Sequence, residues 1–201
     1  MTFSTPFTPA ASSTAASSTA ASSTATSPTV TSSSSTPSTP STPSLHFLCG
    51  KIAAGKSTLA AALAAQPGTL LISEDSWLAA LYPGEIVDIT DYARCASRLR
   101  NAMGSHVAAL IGAGLSVVLD FPANTRRSRE WLRQVAEQAG CPHQLHYLDA
   151  SDAVCKARLQ ARNASGAHPF TTTDEQYDAI TAYFVEPDAE EGFNIVRHPQ
   201  R

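Results

Sequence analysis

One short segment constrains the fold and the chemistry of this chain more than any other feature. Residues 50–57 read Gly-Lys-Ile-Ala-Ala-Gly-Lys-Ser and fit the pattern GxxxxGK[ST] without a gap. The apolar run 45–49 precedes them, and a helical pattern with Leu59 and Leu63 four residues apart follows. In such a strand–loop–helix unit, backbone N–H groups wrap around a phosphate at the positive end of the helix. The segment therefore predicts a phosphate-binding loop; the alternative is a glycine turn with an incidental lysine.

The loop and the residue after it are the predicted nucleotide contacts. Lys56 is expected to place its ammonium group on the β- and γ-phosphates, and Ser57 to give its hydroxyl to Mg²⁺. The predicted cofactors are therefore ATP and Mg²⁺. The full set of predicted contacts is Gly50, Lys51, Ile52, Ala53, Ala54, Gly55, Lys56, Ser57 and Thr58.

Composition divides the chain near residue 44. Residues 1–44 contain no charged residue and no histidine, and the motif AASST occurs there three times in succession. Such a stretch cannot bury enough apolar surface to offset its ordering entropy, so we predict a disordered tail. It is either a solvated tail or misassigned start, or a linker or glycosylated stalk. Every charge of the chain lies in residues 45–201, which have the size of one compact domain.

Short apolar runs alternate with helical patterns through residues 45–201. This alternation predicts an α/β fold, a three-layer αβα sandwich whose parallel sheet is covered by helices on both faces. Ligands bind such sheets at the carboxyl ends of the strands. The strands are expected at 45–49, 69–73, 115–120, 143–148 and 193–197, with the first two buried. The helices are expected from about 56, at 75–81, 91–111, 125–139, 151–162 and 174–185.

Two aspartates at predicted strand ends are the candidate carboxylates. Phosphoryl transfer to an acceptor needs a carboxylate that orients the acceptor hydroxyl and accepts its proton. Asp75, just after the second strand, is the predicted base and substrate contact, with Glu74 as second choice; the alternative is that Asp75 only caps a helix. Asp120 ends the third strand and is predicted to hold Mg²⁺ through water, or else to cap a turn.

Features of hydrolytic motors and GTPases are missing from the sequence. Motors commonly carry an Asp-Glu pair at the end of an apolar strand, whereas Asp120 is followed by Phe121. The guanine-reading NKxD tetrapeptide is also absent from the sequence. These observations favour a kinase.

Several arginines could stabilise the charge that develops in phosphoryl transfer. Arg158 and Arg162 are four residues apart and share a helix face, ahead of a loop (residues 163–170) that is predicted to act as a lid. They are the predicted catalytic arginines, or else solvated residues near a helix end. Arg126, Arg127 and Arg129 open a helix, where the macrodipole disfavours cations. Either they bind an anionic ligand, which makes Arg126 a substrate contact, or carboxylates neutralise them.

The cysteines, the apolar runs and the net charge indicate the cellular compartment and the kinds of partner to expect. The four cysteines show no CxxC spacing and read as buried apolar residues in a reducing compartment. No apolar run approaches the 20 residues of a membrane span, and the net charge of −3 argues against a nucleic-acid partner. We predict a cytoplasmic protein, a monomer or homodimer. Its six histidines show no metal-ligand spacing and are expected to be surface or strand residues.

The segments LCGKIAAGKST, LLISED, SVVLDFPANT and RLQARN resemble the zeta-toxin-like small P-loop kinases. This group includes relatives of chloramphenicol phosphotransferase, gluconate kinase and polynucleotide 5′-kinases. Over residues 45–198 the resemblance implies a sheet of order 2-3-1-4-5, ATP with Mg²⁺, a base at Asp75 and lid arginines at Arg158 and Arg162. Polynucleotide 5′-kinases carry an arginine three residues after the base, where this chain has Leu78.

Three functions remain open at this point. The first is an ATP-dependent phosphotransferase that acts on a hydroxyl of a small molecule, such as a sugar, a nucleotide sugar or an antibiotic. The second is a module that binds ATP without fast catalysis. The third is a toxin-like or nucleic-acid-directed kinase, which the leucine at position 78 and the acidic balance disfavour.

Overall fold

The computed structural model describes residues 42–165 and 171–200. The predicted tail lies outside these residues, apart from its last three positions. The segment 166–170 of the predicted lid, with Gly166, His168 and Pro169, also lies outside them. Both predictions therefore stay predictions.

The described residues form a five-stranded parallel sheet in the order β2-β3-β1-β4-β5, as predicted. The strands are β1 (Leu45–Cys49), β2 (Thr69–Ser73), β3 (Ser116–Pro122), β4 (His143–Asp149) and β5 (Ile195–Pro199). The helices are α1 (Lys56–Ala64), α2 (Glu74–Leu81), α3 (Ile89–Gly112), α4 (Arg126–Ala139), α5 (Asp152–Ser165) and α6 (Asp174–Thr181). A short 3₁₀ helix spans Ala189–Glu191.

Alternating side chains of the central strand place a core on each face of the sheet. Leu45 and Phe47 of β1 are fully buried in the larger cluster, which includes apolar residues of α3 and α4. Leu48, one position on, is buried in the smaller cluster with Ala60 of α1 and Leu159 of α5. A strand buried on both faces requires helices on both sides, which is the predicted three-layer sandwich.

The second strand differs from the prediction that it is buried. Leu70 and Leu71 keep 41% and 37% of their surface exposed. The reason is the position of β2, which is at the edge of the sheet that the described residues form and is paired there with β3. An apolar run alone does not distinguish an edge strand from a central one.

Several element ends also differ by a few residues. Strand β3 continues two residues beyond Asp120, and α6 ends at Thr181 rather than at residue 185. The start of α6 is as predicted, because the Thr173 hydroxyl accepts from the Gln176 N–H and the Gln176 side chain accepts in return from Thr173 N–H.

Two expectations from composition can be compared with the structure. The four cysteines are free; Cys49, Cys95 and Cys155 are buried, and Cys141 is half-buried. None of the helices in the described ranges combines the length and apolar character that crossing a bilayer requires.

Candidate active site

The loop between β1 and α1 has the backbone geometry of a phosphate-binding loop. Gly50 has φ 154° and Gly55 has φ 104°, conformations that side chains disfavour. A Cβ atom on Gly50 would also lie 3.0 Å from the Leu148 carbonyl oxygen. Ala53 takes a positive φ of 59°. The turn exposes the N-terminus of α1, whose first N–H groups have no partners within the helix.

Lys56 is folded back over this loop. Its ammonium nitrogen donates to the carbonyls of Gly50 (2.7 Å) and Lys51 (2.8 Å). Burial lowers the pKa of Lys56, and the carboxylates of Asp120 and Asp75 oppose that shift. Both aspartates are therefore within electrostatic range of the ammonium group.

A cavity of about 1630 Å³ opens above the loop. Its lining joins the loop to predicted site residues of three other elements. The lining residues of the loop and α1 are Ile52, Ala53, Gly55, Lys56, Ser57 and Thr58. Helix α2 contributes Asp75 to the lining, β3 contributes Asp120, and α5 contributes Arg158 and Arg162. Helix α6 and the residues that flank it contribute Thr172, Gln176, Ile180 and Tyr183 to the lining.

Three predicted loop contacts are not among the lining residues. Gly50 and Ala54 belong to the loop but are buried and do not line the cavity. Lys51 turns away, with its ammonium 2.6 Å from Asp152 and 5.9 Å from the centre of the Phe184 ring. The side chains of Ala54 and Lys51 therefore do not face the cavity, and the N–H groups of Gly50 and Ala54 already donate to the Asn124 side chain and the Lys51 carbonyl.

The structure separates the two interpretations of Asp75. Helix α2 begins at Glu74, and its N-cap is Ser73, whose hydroxyl accepts from Ser76 N–H. Asp75 is thus in the first turn and is not the cap. Its half-buried side chain lines the cavity. Burial lowers the pKa of Arg162, and the carboxylate of Asp75 opposes that shift, so the two groups are within electrostatic range.

Asp120 lies beside the end of β2, since Asp120 is paired in register with Ser73. Because β3 continues to Pro122, Asp120 does not end the strand or cap a turn there. Its side chain lines the same cavity as Ser57. Two side chains whose oxygens suit a hard cation therefore line one cavity.

Arg158 and Arg162 both face the cavity from α5, as their spacing predicts. Arg158 donates through Nη1 to the Ala54 carbonyl (3.2 Å) and to the Gln200 side chain (3.4 Å). Arg162 has a buried Nε with no hydrogen-bond partner among the described residues. A buried guanidinium donor without a partner favours an anionic ligand, because leaving it unpaired costs about 1–3 kcal/mol.

Two of the three arginines at the start of α4, Arg126 and Arg129, lie beside carboxylates, which is one of the two alternatives raised by the sequence. Arg126 is exposed, lies 3.9 Å from Asp188 and does not line the cavity. Arg129 is fully buried and binds both carboxylate oxygens of Glu191 at 2.6 and 2.7 Å. It also donates to the carbonyls of Ala123 and Val185, which ties α4 to the segment after α6.

Glu74, the second candidate for the base, forms a buried ion pair with Arg100. It is 1% exposed and is absent from the cavity lining. Its carboxylate accepts from Tyr92 Oη (2.7 Å) and from Arg100 Nε (3.0 Å) and Nη2 (2.8 Å). Burial raises the pKa of Glu74, and Arg100 and Tyr92 oppose the shift. The periodicity of α3 could have indicated this ion pair. Arg100 is eight residues after Tyr92 and so lies on the same, inward-facing side of the helix, where a charge needs a partner.

Asn124 connects the loop to the β3–α4 connection. Its side-chain oxygen accepts from Gly50 N–H at 3.1 Å, its carbonyl accepts from Val185 N–H, and it lines the cavity. No sequence pattern marked this contact, because the two residues are 74 positions apart.

Three of the histidines form a ladder, which sequence analysis did not predict. His46 Nδ1 lies 3.1 Å from His146 Nε2, and His146 Nδ1 lies 3.0 Å from His198 Nε2. The ladder crosses β1, β4 and β5, begins beside Ser44 and ends at the cavity, which His198 lines. Burial, with smaller effects from His46 and His198, lowers the pKa of His146 to about 4.

Comparisons with solved structures agree with this arrangement. A candidate kinase from Chloroflexus aurantiacus has a TM-score of 0.62 at 20% identity, over 79% of this chain and 85% of that chain. A sugar kinase from Janibacter sp. has a TM-score of 0.55 at 19% identity, over 79% and 86%. The APS kinase CysC of Mycobacterium tuberculosis, in complex with AMPPNP and APS, has a TM-score of 0.53 at 19% identity, over 80% and 90%. At these identities the likeness establishes the fold.

Sequence comparison identifies the family. None of the curated proteins compared with the chain matches it. The family model described as AAA domain matches residues 45–187, which include the phosphate-binding loop and the cavity residues Asp75, Asp120, Arg158 and Arg162. The chain therefore belongs to the AAA domain family and has the P-loop fold of the small kinases that it resembles in structure.

Proposed function

We propose that this chain is an ATP-dependent phosphotransferase that moves the γ-phosphate to a hydroxyl group of a small molecule. One observation carries the proposal. A single cavity joins the loop residues Lys56 and Ser57 to two carboxylates, Asp75 and Asp120, and to the α5 arginines. A phosphate-binding loop alone fits a binding module, but a carboxylate beside it supplies what an acceptor hydroxyl needs.

Each group has a role in this scheme. Asp75 orients the acceptor hydroxyl and takes its proton as the oxygen attacks the γ-phosphorus. Lys56 and Arg162 balance the charge that accumulates on the transferred group and on the leaving β-phosphate oxygens. Arg158 contacts the nucleotide in this scheme, which its hydrogen bond to the loop carbonyl of Ala54 supports.

Mg²⁺ fits the oxygen ligands of this site. The Ser57 hydroxyl and the Asp120 carboxylate line the cavity together, and Mg²⁺ prefers a few such oxygens with water and substrate phosphates. When bound, the ion would neutralise phosphate charge. Asp120 also lies within electrostatic range of Lys56, so the two would share the same triphosphate.

The acceptor is proposed to be a small molecule and not a nucleic acid. Leu78 occupies the position where the polynucleotide 5′-kinases of the resemblance have an arginine, and it is fully buried in the core. It therefore contacts no acceptor phosphate. The free cysteines and the use of ATP are consistent with a cytoplasmic setting.

The first test measures ATP binding. Calorimetric titration with Mg·ATP should show saturable binding, weakened at least tenfold in Lys56→Ala. Lys156→Ala is the matched control, since Lys156 is paired with Asp178 and does not line the cavity. A parent protein without measurable affinity for ATP would end the proposal.

The second test measures transfer from γ-labelled ATP to a panel of hydroxyl compounds. Label should reach at least one acceptor, and Lys56→Ala should abolish that transfer. Tight ATP binding with label on no acceptor would instead support the module that binds ATP without fast catalysis.

A further inference from the structure

The two sides of the cavity differ in charge. The P-loop follows the central strand β1, with α5 and β5 on one side and α2, α3 and β3 on the other. On the first side the lining cations are Arg158 and Arg162. The second side, called the acceptor side here, is lined by Asp75, Asp88 and Asp120, together with Arg100.

Arg100 is already paired. Its Nε and Nη2 atoms both bind Oε1 of the buried Glu74, at 3.0 and 2.8 Å. Its guanidinium also lies 5.9 Å from the centre of the Trp131 ring. An acceptor phosphate or carboxylate would have to compete with a carboxylate that is fixed in the protein interior.

The acceptor side contains no other lining cation among the described residues. Asp88 caps α3 through Oδ1, which accepts from the N–H groups of Thr90 and Asp91 at 2.8 and 2.9 Å. Its carboxylate adds negative charge to the lining of this side. Ile89, Tyr92 and Pro122 provide apolar surface between the charged groups.

We propose that the acceptor carries no phosphate or carboxylate: it is an uncharged or amine-bearing hydroxyl compound with an apolar or ring face. This inference rests on the proposed function and names its substrate class. In the proposed function Arg162, which is within electrostatic range of Asp75, is engaged with the transferred phosphate. An anionic acceptor would then meet carboxylates and one compensated arginine, whereas an ammonium group would find the carboxylate of Asp88. Nucleotide sugars and sugar acids are thereby excluded, and neutral or aminated sugars and related ring compounds remain.

Glu74 is the positioning residue in this scheme. Replacing it with glutamine removes the compensating charge but keeps the shape and a hydrogen-bond acceptor. Arg100 then becomes an uncompensated cation beside the acceptor. The variant Glu74→Gln should therefore accept anionic compounds that the parent rejects, a change of preference that general destabilisation would not produce.

The experiment compares matched acceptors by transfer of labelled phosphate: a phenyl glucoside, its 2-amino derivative and its 6-carboxylate, with equivalent triplets on other scaffolds. We expect the neutral and amino members to exceed the carboxylates at least tenfold in kcat/KM, and Glu74→Gln to narrow that ratio at least threefold. Preference for the carboxylates would overturn the inference while leaving the phosphotransferase intact. Transfer to no compound would count against the phosphotransferase instead.

A binding measurement decides the inference even without turnover. The parent, saturated with a non-hydrolysable ATP analogue, is titrated with inorganic phosphate and with benzoate while thermal stability is followed. No saturable stabilisation is expected in the parent. Stabilisation that disappears in the charge-free double variant Glu74→Gln/Arg100→Gln would show an anion site at Arg100 and refute the inference. This comparison holds even if the single variant fails to fold.

Discussion

The buried histidine of the ladder gives the clearest quantitative prediction. His146 is 4% exposed, and its pKa is lowered from 6.5 to about 4. Between those two pH values the unfolded chain binds a proton that the folded chain does not. Stability contributed by neutral His146 is therefore complete above pH 6.5 and is lost as the pH falls toward 4. The shift corresponds to about 3 kcal/mol in total, of which about 2 kcal/mol is lost between pH 7 and 5.

The assay is urea unfolding of the parent and of His146→Gln from pH 7 to pH 4.5. Glutamine keeps one donor and one acceptor for His46 and His198 but does not titrate. The stability difference between parent and variant should shrink by about 2 kcal/mol from pH 7 to 5. His106→Gln, at an exposed position on α3, should show no comparable change. Curves for the parent and His146→Gln that stay parallel across this range would refute the reasoning.

Two further predictions concern stability and the loop. Replacing Arg129 with methionine should cost about 3–5 kcal/mol in chemical unfolding, because the Glu191 carboxylate and the carbonyls of Ala123 and Val185 lose their donor; a loss under 1 kcal/mol would contradict that. Gly50→Ala should weaken ATP binding at least tenfold in calorimetry, since the added Cβ would lie 3.0 Å from the Leu148 carbonyl. Gly84→Ala, which also has a positive φ but nothing within 4 Å, is its control and should bind ATP like the parent.

Much of the fold was predictable because its signals are local. The glycine loop, the short apolar runs and the Thr173 capping box each specify their own element within a few residues. The resemblance supplied the strand order, which no local pattern contains. The exposure of Leu70 and Leu71 was missed for the same reason, since only the sheet order places β2 at an edge.

For the site, too, local signals could be predicted and long-range contacts could not. Residues that follow strands could be predicted to converge, and the structure places Asp75, Asp120 and the α5 arginines in one cavity. Contacts between distant segments could not be predicted, such as Asn124 with Gly50 or Arg129 with Glu191. Their partners are fixed by how helices pack onto the sheet: the sequence could offer a carboxylate partner for Arg129 only as one alternative, and it could not identify that partner as Glu191.

The measurement that tests the central claim most directly is the rate of phosphate transfer by Asp75→Asn at saturating ATP. Asparagine keeps the shape of the side chain but cannot take the acceptor proton, so the rate should fall by about 10²- to 10⁴-fold while ATP affinity stays near that of the parent. Asp178→Asn, an exposed substitution outside the cavity lining, should transfer at the parent rate. Transfer by Asp75→Asn at the parent rate would contradict the account.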